Sequence, residues 1–372
     1  MITGSLVLIC LAGLLLGLTA GFVMHRSDYC VAGMFRDAFL FGRFGGLRVL
    51  FLQIVVTMLL FELARQAGLL PLYPFPILAP PALVNLLGGA LFGLGMVLAG
   101  GCVFGTLYKM GAGSVVSAVA FLGLILGSGL YALIHPWWKQ LARATVLTPE
   151  RITIPQLLNL DPFLPLLLFW LPALFLLWRW GRRGLLRRPV SAEGYLQPWK
   201  SAIILAAIGL ASYLLMGMPM GVTTSFTKLA AMGAAAVAPE WVAEQTFFQA
   251  VSLDVVHPAS GARLTGGPGP QPDLLFAIQL PLALGVVLGS TLSALMLREF
   301  AVNLQIPPRQ LLGALAGGVL MGLAARMAPA CNVWHLMGGL PIMAMQSILF
   351  LLGILPGTWL GTKMLKLLVR YH

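Results

Sequence analysis

The chain carries about nine runs of roughly twenty apolar residues, near 3–23, 47–65, 83–100, 114–134, 162–180, 201–217, 273–297, 309–327 and 343–362. A bilayer core takes about 20 residues of helix to cross, so each run is long enough to span it. Water is absent there, and a helix satisfies its own backbone hydrogen bonds, so these runs are expected to be transmembrane helices. Composition agrees: only 9% of the 372 residues are charged, against about 25% in a soluble domain. The opening segment "MITGSLVLICLAGLLLGLTAGFVMHRS" has no basic residue before its apolar run. That run is long for a signal peptide, so it reads as a retained first span.

The net charge of +12 does not point to nucleic acid, because the Lys and Arg residues mostly flank the spans as the positive-inside bias requires. "WRWGRRGLLRRPV" (178–190), with five arginines, is the strongest cytoplasmic marker. Alternating outward from it puts the N-terminus on the periplasmic side and "KMLKLLVRYH" in the cytoplasm. Arg26, Arg36, Arg43 and Arg48 then lie on or near the cytoplasmic face.

Four pieces are too short to span, near 27–42, 103–111, 221–236 and 241–252. Broken helices survive at membrane depth only where protein or a water-filled cavity covers their ends. "GGALFGLGMVLAGGC" (88–102) aligns without a gap on "GGVLMGLAARMAPAC" (317–331), matching Gly88, Gly89, Leu91, Gly93, Leu94, Ala99 and Cys102 to Gly317, Gly318, Leu320, Gly322, Leu323, Ala328 and Cys331. "GFVMHRSDYC" pairs more weakly with "GVTTSF" (221–226). The expected architecture is therefore an all-α polytopic membrane protein, a single transmembrane domain over 1–372. It has inverted-repeat halves, repeat A at about 1–135 and repeat B at about 200–372, around a connecting span at about 160–182. Inverted repeats with broken helices are a transporter pattern, with the site near the midplane.

Of the four cysteines, Cys10 lies in a plain apolar run and reads as filler. Cys30, Cys102 and Cys331 each stand at a helix break, with Gly100 and Gly101 before Cys102 and Asn332 after Cys331. Glycine lets a substrate approach the backbone closely, exposed amides at a helix start favour negative charge, and a protonated thiol is a soft donor. Such breaks suit a small anion with a soft atom, a sulfur or selenium oxyanion rather than phosphate. Arg26 is the expected counter-charge. Lys109, Lys228 and Arg326 also lie beside breaks, with Lys109 and Arg326 read as snorkelling to the interface. His25 and His335 near the cysteines leave a soft-metal permease open, although no zinc-type spacing is present. No cofactor is expected, and no G-x-x-x-x-G-K-[ST] motif suggests ATP hydrolysis. Residues 240–273 read as an amphipathic interface piece and a turn-rich loop.

"GFVMHRSDYCVAGMFRD", "LAGGCVFG" and "ARMAPACNVWHLMGGLP" resemble the three cysteine motifs of the YeeE/YedE family, bacterial inner-membrane proteins associated with thiosulfate uptake and, for some members, selenium metabolism. The resemblance implies an hourglass-shaped helical bundle in which thiosulfate passes Cys30, Cys102 and Cys331 by transient S–H hydrogen bonds. It also implies a cytosolic sulfur-carrier partner of the TusA type. The chain departs from the pattern at Pro329 and Ala330, where the third motif has glycines, which stiffens the approach to Cys331. It departs again at Asp28 and Tyr29, which bear on substrate preference. The reading is a multi-pass transporter, surrounded by membrane lipid, that imports a small sulfur anion, thiosulfate foremost. A selenium-compound or sulfite transporter, and a membrane enzyme carrying sulfane sulfur as a cysteine persulfide, are the alternatives.

Overall fold

The computed structural model describes residues 2–70, 73–74, 79–188, 193–257, 261 and 263–370. The ends of the two basic stretches at 189–190 and 371–372, and His372 with them, lie outside the described residues. Among the described residues nine helical segments are long and apolar enough to cross a membrane. The chain is a multi-pass membrane protein.

The helices are α1 (Ile2–Ser27), α2 (Val31–Phe41), α3 (Gly45–Gln66), α4 (Val84–Leu98), α5 (Val103–Gly111), α6 (Val115–Ala144), α7 (Ile154–Leu158), α8 (Phe163–Arg182), α9 (Pro198–Met216), α10 (Thr223–Val237), α11 (Pro239–Glu244), α12 (Leu274–Met296), α13 (Pro308–Met327), α14 (Asn332–Trp334) and α15 (Met345–Arg370). α1 with α2, and α4 with α5, are each one crossing interrupted partway. Most expected spans fall within a few residues of these bounds. α6 runs ten residues beyond its expected end at 134 because its last turns still bury an apolar stripe. Trp138 lies in a cluster with Phe247 and Phe248 and donates its indole N–H to the Met327 carbonyl at 2.9 Å.

One expectation needs correction. The piece near 241–252 is helical only as α11, and the turn-rich loop after it folds into a hairpin. Strand β1 (Leu253–Val256) pairs antiparallel with β2 (Arg263–Gly266), with Asp254 and Arg263 bridged at 2.6 Å. Alternate residues of each strand are buried, but four residues are too few for that period to stand out in the sequence. Further on, the chain past Cys331 holds short helical turns that the span pattern did not bring out. α14 continues into a π turn at His335–Gly339 and a 3₁₀ turn at Leu340–Ile342, ending on Met343 at φ +53.

Close helix crossings build the frame, and glycines make them possible. A Cβ at Gly89 would sit 2.2 Å from the Phe350 carbonyl oxygen, and one at Gly318 would sit 2.1 Å from that of Ala120. Gly93 meets Ile354 of α15 as Gly322 meets Leu124 of α6. Small residues let backbones approach and pack where no hydrophobic driving force operates between helices. α4 thus packs on α15 as α13 packs on α6, α1 on α12 as α9 on α3, while α4 and α13 cross at the centre. α8 stands apart. It packs on α3 through Leu166, Trp170, Ala173 and Leu177 against Val55 and Met58, and turns Leu168, Leu171, Leu174 and Phe175 outward.

Candidate functional site

Three short helical pieces start inside the bundle, and a cysteine is the residue before each. Cys30 precedes α2, Cys102 precedes α5 and Cys331 precedes α14, all three with extended backbone. That is the N-cap position, where Ser, Thr, Asp or Asn normally accepts a backbone N–H. A thiol is a weak acceptor, and only Cys102 makes the capping contact, from the Gly105 N–H at 3.4 Å. Helix stability therefore does not explain cysteine at these places.

The thiols converge. The space where a Cβ would stand at Gly105 is 3.0 Å from Cys30 Sγ and 3.4 Å from Cys102 Sγ, so the two sulfurs are neighbours across that glycine. Asn332, fully buried and next to Cys331, brings its amide beside the Cys102 sulfur. Neither its nitrogen nor its oxygen makes a well-formed hydrogen bond, and the Thr106 hydroxyl is also unpartnered. Buried polar atoms are normally satisfied, so this constriction holds unspent donors and acceptors along with its thiols. All three cysteines are buried and none is in a disulfide. Cys10, by contrast, bonds the Ala277 carbonyl on α12, away from the line.

A cavity opens at each end. One, of about 550 Å³, is lined by Cys30, Asp28, Arg36, Asp37, Arg43, Lys109, Arg187 and Arg188 among others. The other, of about 140 Å³, is lined by Cys331 with Thr223, Thr224, Gln279, Arg326 and Trp334. Cys102 lines neither cavity and is 0% exposed. Cys102 is enclosed between Cys30, which lines the larger cavity, and Asn332, the neighbour of Cys331 in the smaller one.

The glycines are placed as their residue type demands. Gly100 sits at φ +72, the left-handed turn that ends α4, and Gly101 packs so closely on α5 that a Cβ would lie 3.1 Å from Gly105. In the third motif Ala330 holds φ +130, a conformation L residues rarely adopt. Glycine would hold this turn without strain, and Ala330 keeps it at a cost.

The charged residues are distributed differently from expectation. Arg26 turns aside, its Nε donating to Ser293 Oγ at 3.1 Å and its Nη1 to the Gly194 carbonyl at 2.7 Å, with the guanidinium over Phe22. Lys109 does not snorkel: its Nζ donates to the Gly100 carbonyl at 2.6 Å, at the α4 break, and it lines the Cys30 cavity. Arg326 likewise turns inward, its Nη1 donating to Thr224 Oγ1 at 3.1 Å and its Nη2 to Thr223 Oγ1. Lys228 is structural, enclosed by Asp273 at 2.8 Å and the carbonyls of Gly269 and Gln271. Asp28, at φ +50, accepts from the Tyr108 hydroxyl at 3.2 Å and stands 3.8 Å from Arg188. Tyr29 donates its hydroxyl to Gln53 Oε1 and lines the Cys30 cavity. His25 pairs with Ser293 Oγ, and His335 with Ser347 Oγ while stacking on Phe350. Among the described residues no group of three or more His, Cys, Asp or Glu could hold a metal.

Nine apolar spans around two cavities, with a buried cysteine at each of three helix starts, have the build of a membrane transporter. The chain belongs to the sulphur-transport family, whose profile it matches over residues 26–360. It is 28% identical over 361 residues to the thiosulfate transporter TsuA of Spirochaeta thermophila, covering 93% of this chain and 96% of that one. It is 28% identical over 359 residues to the thiosulfate transporter TsuA of Escherichia coli, covering 94% of both chains. The probable transporter YedE of Escherichia coli is 30% identical over 173 residues, 46% of this chain and 41% of that one. The family description and the relatives' names are those of transporters, not enzymes.

Proposed function

We propose that this chain carries thiosulfate inward across the bacterial inner membrane, past Cys331, Cys102 and Cys30 in turn. The observation that carries this is the set of three N-cap cysteines between two cavities. Successive weak S–H donors bind a soft terminal sulfur strongly enough to admit it and loosely enough to release it. The unspent amide of Asn332 and the Thr106 hydroxyl add neutral donors at the waist, where the backbone bends at Gly100 and Gly101. In this reading Lys109, rather than Arg26, offsets the anion's charge at the Cys30 end. Desolvating an anion with no such partner is prohibitive.

The arginine-rich end is the cytoplasmic one, which makes the N-terminus periplasmic and the C-terminus cytoplasmic. Arg36, Arg43, Arg187 and Arg188 around the Cys30 cavity support this under the positive-inside rule. A small sulfur carrier of the TusA type fits as the acceptor at that basic mouth. The exchange of contacts described above, α4 on α15 for α13 on α6, supports two inverted copies at about 1–135 and 200–372, with α8 as the connecting span.

The test is uptake of ³⁵S-labelled thiosulfate by cells lacking other importers. Wild type is compared with Cys30→Ala, Cys102→Ala and Cys331→Ala at matched expression. Collapse of uptake in the variants is the expected result; uptake surviving in all three removes the thiol path. Wild-type uptake that sulfite or selenite competes away more strongly than thiosulfate itself would reassign the substrate.

A further inference from the structure

The Cys331 end holds a group that the thiol line leaves unexplained. Arg326 leaves the last turn of α13, five residues before Cys331, and lines the same cavity. Its two Nη atoms hold the hydroxyls of Thr223 and Thr224, but its Nε is shielded from solvent and has no partner. Among the described residues no carboxylate pairs with it. Asp273, on the next element, is occupied by Lys228 and by the amides of Gly267 and Phe276. A guanidinium held partly out of water without a counter-ion carries a desolvation cost, and a passing anion would supply one.

The surroundings narrow what that anion meets. The backbone N–H groups of Thr224 and Ser225 at the start of α10 are already taken by Gln279 Oε1, so the helix start itself is closed. The guanidinium and the two hydroxyls it steers are donors at this cavity, and the guanidinium is the one charged group among its lining residues. A planar fork matches paired oxygens of a sulfonate group better than it matches a single sulfur atom. The group is also one-sided: in the gapless alignment of 88–102 on 317–331, Arg326 falls on Val97. In the weaker repeat match, the helix start related to α2 and Cys30 is that of α10, where Val222, Thr223 and Thr224 stand.

We propose that Arg326, Thr223 and Thr224 form an oxyanion station that holds the sulfonate end of the incoming anion, so that its terminal sulfur is presented to Cys331. This rests on the sulfur-anion reading and adds a division of labour: Arg326 reads charge and oxygen, and Cys331 reads the soft atom. Sulfate satisfies the first and not the second. Discrimination against it arises at the step from station to thiol.

The experiment is calorimetric titration of the purified full chain in detergent with thiosulfate and with sulfate, beside thiosulfate uptake in cells. Arg326→Gln, Arg326→Lys, Thr224→Val and Cys331→Ala are compared, each checked for a cooperative thermal transition. The expected result is at least tenfold weaker binding of both anions in Arg326→Gln and a several-fold loss in Thr224→Val, with Arg326→Lys between. Cys331→Ala weakens thiosulfate alone and brings its affinity down to that of sulfate. If Arg326→Gln does not fold, Thr224→Val and Arg326→Lys carry the same reading. Folded Arg326 and Thr224 variants that bind both anions like wild type overturn the station, as does a wild type that binds neither. Loss of both anions alike in Cys331→Ala overturns the division of labour. Absent thiosulfate uptake in wild type, together with Arg326-dependent anion binding, would refute the substrate and leave the station standing.

Discussion

At the scale of single residues, the cysteines and one alanine are where local structure and function pull apart. A hydroxyl caps a helix better than a thiol does. Cys102→Ser should therefore keep the α5 start at least as stable, by up to about 1 kcal/mol, since its oxygen can accept the Gly105 N–H more strongly. Its thiosulfate uptake should nevertheless fall by an order of magnitude or more, because the soft donor is gone. A thermal midpoint measured beside uptake separates the two effects, and unchanged uptake would make the thiol dispensable. Ala330 is the converse case, a residue whose side chain hinders its own backbone. Rare conformations of this kind cost about 1–3 kcal/mol, so Ala330→Gly should raise the unfolding midpoint with uptake at or above the wild-type level. Fluorescence-detected melting in detergent checks it. The cysteine motifs were legible in the sequence because glycines and thiols stand out against leucine. The directions of Arg26, Lys109 and Arg326 were not, since a flexible basic side chain at a helix end reads the same whether it reaches for lipid headgroups or folds back into a cavity.

At the scale of elements, the frame is fixed where backbone meets backbone. A Cβ at Gly127 would lie 2.0 Å from the Val319 carbonyl, and one at Gly357 the same distance from that of Ala90. Overpacking of this kind typically costs about 1–3 kcal/mol. Gly127→Leu should exceed that, and show as loss of monodisperse protein on size-exclusion chromatography. Gly233→Ala, with open space around it, should leave the yield unchanged. The clasp of Lys228 on Asp273 makes a second prediction. Removing one partner of a buried pair costs about 3–5 kcal/mol, less here because Asp273 is a quarter exposed. Lys228→Met should thus lower the midpoint markedly, and adding Asp273→Asn should recover part of the loss. Spans were readable at this scale because twenty apolar residues have one common solution in lipid. The strands of the hairpin, the one-turn α7 and the π turn after Cys331 were not, because each is five residues or fewer and owes its shape to tertiary contacts. α7 is an instance: its capping box of Thr153 and Gln156 lies beside a bridge between Thr153 and Ala344, far along the chain.

At the scale of the whole molecule, the two ends of the path are unlike. The Cys30 end is wide and rich in arginine; the Cys331 end is narrower and, among its lining residues, has Arg326 as its only charged one. If the wide end faces the cytoplasm, a single cysteine introduced at Leu186 should react with a membrane-impermeant maleimide only in inverted vesicles. Labelling in right-side-out vesicles would reverse the assignment. The contacts at Gly89, Gly93, Gly318 and Gly322 also bear on how the molecule works. Backbones locked against backbones leave α4, α6, α13 and α15 no side-chain cushion on which to slide. If the long helices hold still as one frame and only the short pieces that begin at the cysteines move, turnover should be nearly indifferent to membrane thickness when the protein is reconstituted in lipids of differing acyl length; a strong dependence on acyl length would show the long helices moving.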